Sequence, residues 1–380
     1  MLLSVAQRLL ERNLLPDWVI RAGIRKLLRE RLAELYSPLP GVRPGSEPET
    51  SLVTIIADKE ELFLEDLHRR SSIAEHTTAA NEQHYEVPSA FFELVLGPRL
   101  KYSCGYFACR GTGSLAEAEE AMLALTCERA ELADGQYVMD LGCGWGSLSL
   151  YLAERYPNMR IVAVSNSKSQ RAFIENRLES AGWTTKGESN PRIQVLTADI
   201  NDWDGPSNVS AGAAFDRIVS VEMFEHMKQY DRLLAKIAGW LKPDGQGKLF
   251  IHIFVHRAVP YHFEATSEAD WMARYFFTGG TMPSDRLLYR FQEHLLLERK
   301  WSVNGMHYAN TAEHWLSNMD RNREAVRKLF RQVYGSEREA IRWEAYWRTF
   351  FMACAELWSY QGGDEWFVAH YRFRTRLCSR

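Results

Sequence analysis

The sequence lacks several features that would assign it to a specialised class of protein. Its six cysteines include no Cys-x-x-Cys pair, so neither a structural zinc site nor a disulfide framework is indicated. Arginines interrupt the apolar residues of the N-terminus from Arg8 to Arg29, which excludes a signal-peptide core and a membrane span there. We therefore predict a cytoplasmic protein with no metal site and no stable membrane insertion.

The chain also lacks the excess of positive charge with which proteins commonly attract nucleic acids. Its formal net charge is -3, so we expect no nucleic-acid partner. Hydrophobic residues make up 46% and charged residues 25% of its 380 residues, which is an ordinary globular mixture. A chain of this length is expected to fold as one large elaborated domain or as a catalytic domain with appendages.

The pattern of apolar residues changes along the chain. Apolar residues recur at helical spacing at the N-terminus, and a linker-like stretch, SPLPGVRPGSEPET, follows them. From Tyr137 onward short apolar runs alternate with helical ones, as in βαβ units with a parallel sheet covered on both faces. We predict an α/β fold, with a helical extension over residues 1–70 and a main domain over residues 71–380.

Two later segments depart from this alternation. The stretch after Phe254 is rich in aromatic residues and glycine and is too long for a simple connection, which predicts an inserted cap around residues 256–290. The C-terminal stretch EWFVAHYRFRTR alternates like a strand, and we expect it to add to the edge of the sheet.

Three glycines in five positions follow the first strand of the alternating pattern. The stretch DLGCGWGS begins at Asp140, which ends the strand, and its glycines lead into a helix. Glycine permits positive φ and leaves room for a ligand, and the start of the helix presents unpaired N–H groups. The loop matches neither a phosphate-binding loop nor a dinucleotide loop. Taken alone, it indicates either a nucleotide-like cofactor or a tight structural turn.

In context, the loop resembles the first motif, DxGxGxG, of class I S-adenosylmethionine-dependent methyltransferases. Three further strands end in AVSNSKSQ, TADI and SVEMFEH, at the same edge of the predicted sheet. The resemblance implies a Rossmann-like, mostly parallel seven-stranded sheet and S-adenosyl-L-methionine as cofactor. It also implies the residues that bind this cofactor, namely Asp140, Gly142 and Gly144 in the loop, Asn166 and Gln170 on the ribose side, and Asp199 and Ile200 beside the adenine.

Other segments are similar to the branch that contains the cyclopropane-fatty-acyl-phospholipid synthases and the plant coclaurine-type N-methyltransferases. They are NEQHYEVPSAFFELVLGPRLKYSCGYF, DWMARYFFTGGTMPS, WSVNGMHYANTAEHWL and YWRTFFMACAELWSY, so the resemblance covers nearly the whole chain from about Pro16. It implies that Tyr102 and Ser103, upstream of the first strand, fold back over the cofactor.

Two carboxylates and an imidazole follow the fourth strand in VEMFEHM. The spacing of Glu222, Glu225 and His226 brings them to one side of a helical turn, where they are either a solvated helix start or a site for acid–base chemistry. An alkylamine is mostly protonated near neutral pH, and only its free lone pair can attack a methyl group. The resemblance implies that His226 deprotonates such an amine while the two glutamates bind it, which predicts N-methylation of a small aromatic or alkaloid-like amine.

The competing chemistry is methylene or methyl transfer to an unsaturated fatty-acyl phospholipid. Cyclopropane synthases hold a bicarbonate in a cage that resembles Cys104, Glu225, His252 and Tyr308 here, and Cys354 is similar in position to another of their cysteines. These synthases usually carry glycine where this chain has Glu222, and a buried carboxylate suits a cation better than an alkene. N-methylation is therefore the favoured prediction.

Plainer interpretations stay open at several positions. Cys104 and Cys354 are equally consistent with small buried hydrophobic residues, and His252 with a core histidine. A catalytically silent cofactor-binding scaffold is a third candidate function. The arginine-rich N-terminal helices fit a membrane-surface role, a helical cap or the surface of a homodimer.

Overall fold

The central strands of the fold are apolar runs that are buried on both faces. The computed structural model describes residues 2–39, 51–75, 87–108, 113–184, 191–206, 214–264 and 271–377. In these ranges the strands are β1 (Tyr137–Leu141), β2 (Arg160–Ser165), β3 (Ile193–Thr197), β4 (Arg217–Val221), β5 (Lys248–His256), β6 (Tyr261–His262), β7 (Thr281–Met282), β8 (Leu295–Val303) and β9 (Trp366–Thr375).

Helices precede the sheet, cover it and close its C-terminal side. They are α1 (Leu2–Glu11), α2 (Asp17–Leu35), α3 (Leu52–Arg69), α4 (Ser89–Val95), α5 (Leu115–Ala130), α6 (Ser147–Arg155), α7 (Lys168–Ser180), α8 (Tyr230–Trp240), α9 (Trp271–Tyr275), α10 (Met306–Arg321), α11 (Arg323–Tyr334) and α12 (Glu337–Trp358). None of the helices in the described ranges is both long and apolar enough to cross a lipid bilayer.

Seven strands form the main sheet in the order β3-β2-β1-β4-β5-β9-β8. Strands β1 to β5 pair in parallel, whereas β9 pairs antiparallel with both β5 and β8. The predicted mostly parallel, seven-stranded α/β sheet is confirmed. Because the parallel strands run in one direction, the residues that follow β1, β2, β3 and β4 meet at one edge, where ligands bind in open α/β sheets.

The predicted position of the C-terminal strand is wrong. Strand β9 lies between β5 and β8, and the edge of the sheet is β8. Each of the nine residues of β5 pairs with β9, and the side chains of β9 are largely buried. The last strand therefore completes the core between two earlier strands.

Helices α1 and α2 pack on α12, so the predicted N-terminal extension contacts the C-terminal part of the chain. Arg21 donates hydrogen bonds to Glu313 on α10 and Glu356 on α12, and Arg25 pairs with Glu356 as well. The predicted boundary at residue 70 follows the end of α3, and the division into two domains stays a prediction.

The segment predicted as a cap contains the short β6–β7 ribbon and α9, and residues 265–270 lie outside the described ranges. Buried Lys228 donates from its Nζ to His262 Nδ1 at 2.9 Å and Thr281 Oγ1 at 2.8 Å, one on each strand of the ribbon. The other nitrogen of His262 lies 3.0 Å from Asp66 Oδ2 on α3. The ribbon is thus fixed both to the main domain and to the N-terminal helices.

Candidate active site

Two adjoining pockets open at the carboxyl edge of the parallel strands. One, called here the apolar pocket, lies between the sheet, the cap and helices α10 and α12. The other, the strand-end pocket, lies over the ends of β2 and β3. Both are lined by the same residues at their junction: Gly142, Gly144, Gln170, Glu222 and His226. A ligand that spans the two pockets would therefore pass directly over the glycine loop.

The glycine loop is shaped by backbone conformations that ordinary residues avoid. Gly142, Gly144 and Gly146 have φ of 87°, 54° and 82°. A Cβ on Gly142 would lie 2.9 Å from Met223 and one on Gly146 would lie 2.7 Å from Ile174, so these two positions are restricted by the protein itself. A Cβ on Gly144 would meet no described protein atom within 4 Å. The space beside Gly144 is the open floor of the pockets.

Polar groups around this floor suit a polar cofactor. Asp140 is buried and accepts a hydrogen bond from Ser149 at 2.6 Å, and burial raises the pKa of its carboxyl to about 6. Gln170 Oε1 accepts from Ser165 at 2.6 Å, whereas its Nε2 is buried with no hydrogen-bond partner among the described residues. Ser147 Oγ is also buried with no hydrogen-bond partner among the described residues. Buried donors without a partner, beside the open floor of a pocket, are expected where a ligand completes their hydrogen bonds.

The nine residues predicted to bind the cofactor all line one or both pockets. Asn166, Asp199 and Ile200 line the strand-end pocket, and Tyr102, Ser103 and Asp140 line the apolar pocket, while the remaining three lie at or near the junction. S-adenosylmethionine therefore fits the residues present, since it combines a nucleoside with a charged amino-acid part. The individual roles of these residues stay predictions.

The segment that carries Tyr102 and Ser103 is held by a buried carboxylate. Glu119 on α5 accepts hydrogen bonds from the backbone N–H groups of Gly97, Arg99 and Lys101. Lys101 is also buried, and its Nζ donates to Ser103 Oγ. Burial lowers the pKa of Lys101, and the nearby Glu222 opposes this shift. Sequence reasoning missed Lys101, although a lysine within an otherwise apolar, aromatic stretch was a signal.

Glu222 lies at the centre of a hydrogen-bonded cage. Its Oε2 accepts from Tyr308 Oη at 2.5 Å, and its Oε1 accepts from the backbone N–H of Cys104 at 3.1 Å. His252 Nε2 lies 3.2 Å from the same Oε1. The Glu222 side chain is only 11% exposed, and this burial raises its pKa to about 7, although Lys101 and Tyr308 favour the ionised form. Glu222 is thus poised to change charge near neutral pH.

Glu225 has a different environment. Both of its carboxylate oxygens are buried without a hydrogen-bond partner among the described residues, and the residue lines the apolar pocket. Burial and the neighbouring charge of Glu222 raise its pKa well above the usual range. This environment favours the neutral form of the Glu225 carboxyl, which faces the pocket.

The predicted helical turn is shorter than expected. Only Phe224–His226 form a single 3₁₀ turn, and Glu222 precedes it with φ of 50°. The interpretation of the three residues as one face of a helix is therefore wrong, because Glu222 points into its own cage. His226 lines both pockets and packs its ring 4.9 Å from that of Phe277 in the cap. All three side chains still meet at one site.

The remaining candidates divide into two groups. Tyr308 and Cys354 line the apolar pocket. Cys104 and His252 are fully buried behind Glu222, and neither is among the described residues that line this pocket. Burial raises the pKa of the Cys104 and Cys354 thiols, and the charge of Glu222 raises both pKa values further. Both cysteines are therefore neutral thiols rather than reactive thiolates.

Aromatic side chains form the walls of the apolar pocket. Phe277 in the predicted cap and Phe350 on α12 line this pocket, whereas Phe276 and Trp347 are in the core. Further aromatic lining residues were missed: Phe254, Phe263, Trp315 and Trp358. For the two tryptophans the sequence signal was helical spacing, since Trp315 follows Tyr308 by two turns and Trp358 follows Cys354 by one.

The sheet order, the glycine loop and the pockets beyond the strand ends define a class I methyltransferase fold. The chain belongs to the mycolic acid cyclopropane synthetase family, whose model matches residues 73–362. It is an S-adenosylmethionine-dependent methyltransferase, and the family predicted from the sequence is confirmed.

Within this family the chain is similar to plant N-methyltransferases. It is 39% identical over 311 residues to (S)-coclaurine N-methyltransferase of Thalictrum flavum subsp. glaucum, covering 81% of this chain and 82% of the relative. It is 34% identical over 373 residues to the enzyme of that name from Papaver somniferum, covering 97% of both. The crystal structure of coclaurine N-methyltransferase bound to N-methylheliamine and SAH matches 99% of this chain and all of that one, with 33% identity and a TM-score of 0.86.

Similarity to the lipid-modifying branch is more limited. The cyclopropane-fatty-acyl-phospholipid synthase of Escherichia coli K12 is 30% identical over 236 residues, covering 62% of this chain and 54% of that enzyme. The chain therefore aligns with the plant enzymes over a greater part of its length.

Proposed function

We propose that this protein transfers a methyl group from S-adenosylmethionine to the nitrogen of a small aromatic or alkaloid-like amine. The observation that carries this proposal is the pair of buried carboxyl groups, Glu222 and Glu225, at an otherwise aromatic pocket. A cation is stabilised by both features, because carboxylates attract its charge and aromatic faces attract it through their quadrupoles. The similarity to coclaurine N-methyltransferases supports the same conclusion.

The cofactor supplies, when bound, an electrophilic methyl group on a sulfonium sulfur. The loop around Gly144 and the polar groups of Asn166, Gln170 and Asp199 would hold it across the two pockets. Ser103, which accepts from Lys101, adds a polar group on the other side of the junction. The task left to the apolar pocket is to orient an amine and to free its lone pair.

Glu222 would attract the incoming ammonium, because its carboxyl ionises near neutral pH. The unused oxygens of Glu225 would accept hydrogen bonds from the nitrogen, and the proximity of the ammonium would favour the ionised form of this group. His226, at the junction of the pockets, would take the proton from the nitrogen as general base. The aromatic walls and the cap would exclude water from the reacting atoms.

The test is a methyl-transfer assay against a mixed panel of aromatic alkylamines and unsaturated phospholipids, with the products identified by mass. A gain of CH₂ on the amine is expected. A gain of CH₂ on the acyl chain, with no amine product, would instead establish lipid modification. The cytoplasmic location, the homodimer and the absence of a nucleic-acid partner stay predictions. Analytical ultracentrifugation would test whether the protein is a homodimer.

A further inference from the structure

A chain of buried hydrogen bonds leads from Glu222 along one face of the sheet to Arg129. Behind Glu222, His252 Nδ1 lies 2.9 Å from His370 Nε2, and His370 Nδ1 lies 2.8 Å from an Nη of Arg129. Both histidines are fully buried. None of the roles described so far uses His370 or Arg129.

The pairing of the strands builds this chain. His252 on β5 is directly opposite His370 on β9, and His370 is directly opposite Trp301 on β8, so the three side chains form a row on one face of the sheet. Arg129, in the last turn of α5, lies over this row with its guanidinium 5.2 Å from the Trp301 ring. Its position is therefore fixed by both the histidine and the indole.

The direction of each hydrogen bond follows from the chemistry of arginine. A guanidinium can only donate, so His370 Nδ1 must be an acceptor and its proton must be on Nε2. That proton is donated to His252 Nδ1, which places the proton of His252 on Nε2, directed at Glu222 Oε1. Burial lowers the pKa of both histidines well below the usual range, as does the positive charge of Arg129, which agrees with two neutral rings.

The chain ends in a group that keeps its proton. Arginine is effectively always protonated in proteins, so a proton taken up at Glu222 has no exit through Arg129. The hydrogen bonds can, however, fix a tautomer. Without Arg129, His370 would be free to adopt the other tautomer, and His252 would then present a lone pair instead of a proton to Glu222.

We propose that Arg129 and His370 are positioning residues that lock His252 as a hydrogen-bond donor and thereby keep Glu222 ionised and oriented for binding the substrate cation. The effect on substrate binding and catalysis rests on the proposed function. The assignment of the histidine tautomers does not depend on it. The charged and titratable groups that face Glu222 from the surrounding elements are Lys101, Cys104, Glu225, His226, His252, Tyr308 and Cys354.

The first measurement is the tautomer of each histidine in the ligand-free protein, by NMR of ¹⁵N-labelled histidine assigned with His252→Asn and His370→Asn variants. In the wild type both rings should carry their proton on Nε2, and Arg129→Met should introduce the other tautomer. Protons on Nδ1 in the wild type, or unchanged spectra in Arg129→Met, would overturn the proposal. This readout needs no substrate, so it stays decisive even if amine N-methylation is not found.

The second measurement is the pH dependence of kcat/KM for the amine. Loss of a donor disfavours the carboxylate, so Arg129→Met should move the acidic limb of the profile up by about one pH unit and lower kcat/KM about fivefold at pH 7, where Glu222 is about half ionised in the wild type. Activity should approach that of the wild type at high pH, where Glu222 is ionised in both proteins. Arg129→Lys keeps a charged donor and should restore most of the shift. A uniform loss of activity at every pH, with no shift of the limb, would indicate a merely structural role.

Arg160→Met is the matched control, because Arg160 also stacks on an aromatic ring, 4.6 Å from the Tyr137 centroid, but begins strand β2, at the end of the parallel strands opposite to Glu222, which follows β4. In this variant the tautomers of His252 and His370 and the pH profile of kcat/KM should equal those of the wild type. Should Arg129→Met fail to fold, Arg129→Lys keeps the proposal testable, because an ammonium group can only donate. Arg129→Lys should keep the tautomers of the wild type, and mixed tautomers in that variant would also contradict the proposal.

Discussion

Replacing Glu222 with glycine separates the chemistry of this residue from its structural role. The backbone at Glu222 has φ of 50°, in the left-handed region that glycine adopts without strain. Relief of this conformation favours the variant by about 1 kcal/mol. The rise in the pKa of the Glu222 carboxyl from 4.5 to about 7 means that its ionised form destabilises the folded wild type by about 3 kcal/mol. The glycine variant has no carboxyl and avoids this cost.

The opposing cost is that three buried donors, on Cys104, His252 and Tyr308, lose the acceptor that Glu222 provides. At about 1 kcal/mol each, these losses nearly cancel the two gains. We therefore expect Glu222→Gly to fold with a free energy of unfolding within about 1 kcal/mol of the wild type, which thermal or urea denaturation at pH 8 would measure. Few substitutions at a buried carboxylate leave stability so little changed.

Activity should respond quite differently. The variant lacks the carboxylate that attracts the ammonium, and the loss of about 3 kcal/mol expected for a buried charge-assisted hydrogen bond corresponds to about a hundredfold fall in kcat/KM. Affinity for S-adenosylhomocysteine, measured by calorimetry, should change by less than about threefold. Glu222→Gln, which removes the charge but retains the shape and the strained backbone, should lose similar activity.

The cage left by the glycine also provides a rescue experiment. Cys104 N–H, Tyr308 Oη–H and His252 would still surround an opening of carboxylate size. Added formate or bicarbonate should bind there and restore part of the amine turnover. Unchanged kcat/KM in Glu222→Gly would refute the reasoning, as would a parallel fall in cofactor affinity, because the residue would then be a surface carboxylate or part of the cofactor site.

Three further predictions follow from neighbouring groups. Gly144→Ala and Gly135→Ala should each cost about 1 kcal/mol of stability, since both glycines have positive φ and no described atom within 4 Å of an added Cβ, but only the first should weaken S-adenosylhomocysteine binding in calorimetry. His226→Ala should lose activity near neutral pH and recover part of it at alkaline pH, where the free amine is abundant; a pH–rate profile without recovery would contradict its role as base. Wild type should lose stability as pH rises above 4.5, because the folded state retains the proton of Glu225 and, up to about pH 7, that of Glu222; each carboxyl contributes up to about 1.4 kcal/mol per pH unit, so Glu225→Gln should show a shallower slope in pH-dependent denaturation.

The parts of the fold that the sequence predicted are those set by local pattern. Strands β1 to β5 are apolar runs that are mostly buried on both faces, and the glycine loop follows the first of them directly. Strand β8 escaped detection because Glu298, Arg299 and Lys300 interrupt its apolar residues. An edge strand tolerates these charges, since one of its sides has no neighbouring strand.

The arrangement of the site depended on contacts between distant parts of the chain. Glu222 owes its cage to Cys104, His252 and Tyr308, which are 118, 30 and 86 positions away. Sequence spacing instead suggested that Glu222 belongs to the same helical turn as Glu225. The residue types at the site were therefore predictable. The sequence could not show that Glu222 accepts several hydrogen bonds whereas the oxygens of Glu225 have no partner among the described residues.

The orphaned carboxyl of Glu225 makes substrate binding a proton-linked event. Burial and the charge of Glu222 raise the pKa of Glu225 and favour its neutral form, whereas a cation in the same pocket favours its ionised form. A quaternary ammonium compound with an aromatic ring, bound in the presence of S-adenosylhomocysteine, has no proton of its own to lose. Its binding should therefore release protons from the protein, which calorimetry detects as a binding enthalpy that changes with the ionisation enthalpy of the buffer. Glu225→Gln should weaken this dependence while Arg160→Met retains it. Equal enthalpies in all buffers for the wild type would mean that Glu225 is either already ionised or remote from the bound cation, and the assignment of the two glutamates to amine binding would have to be abandoned.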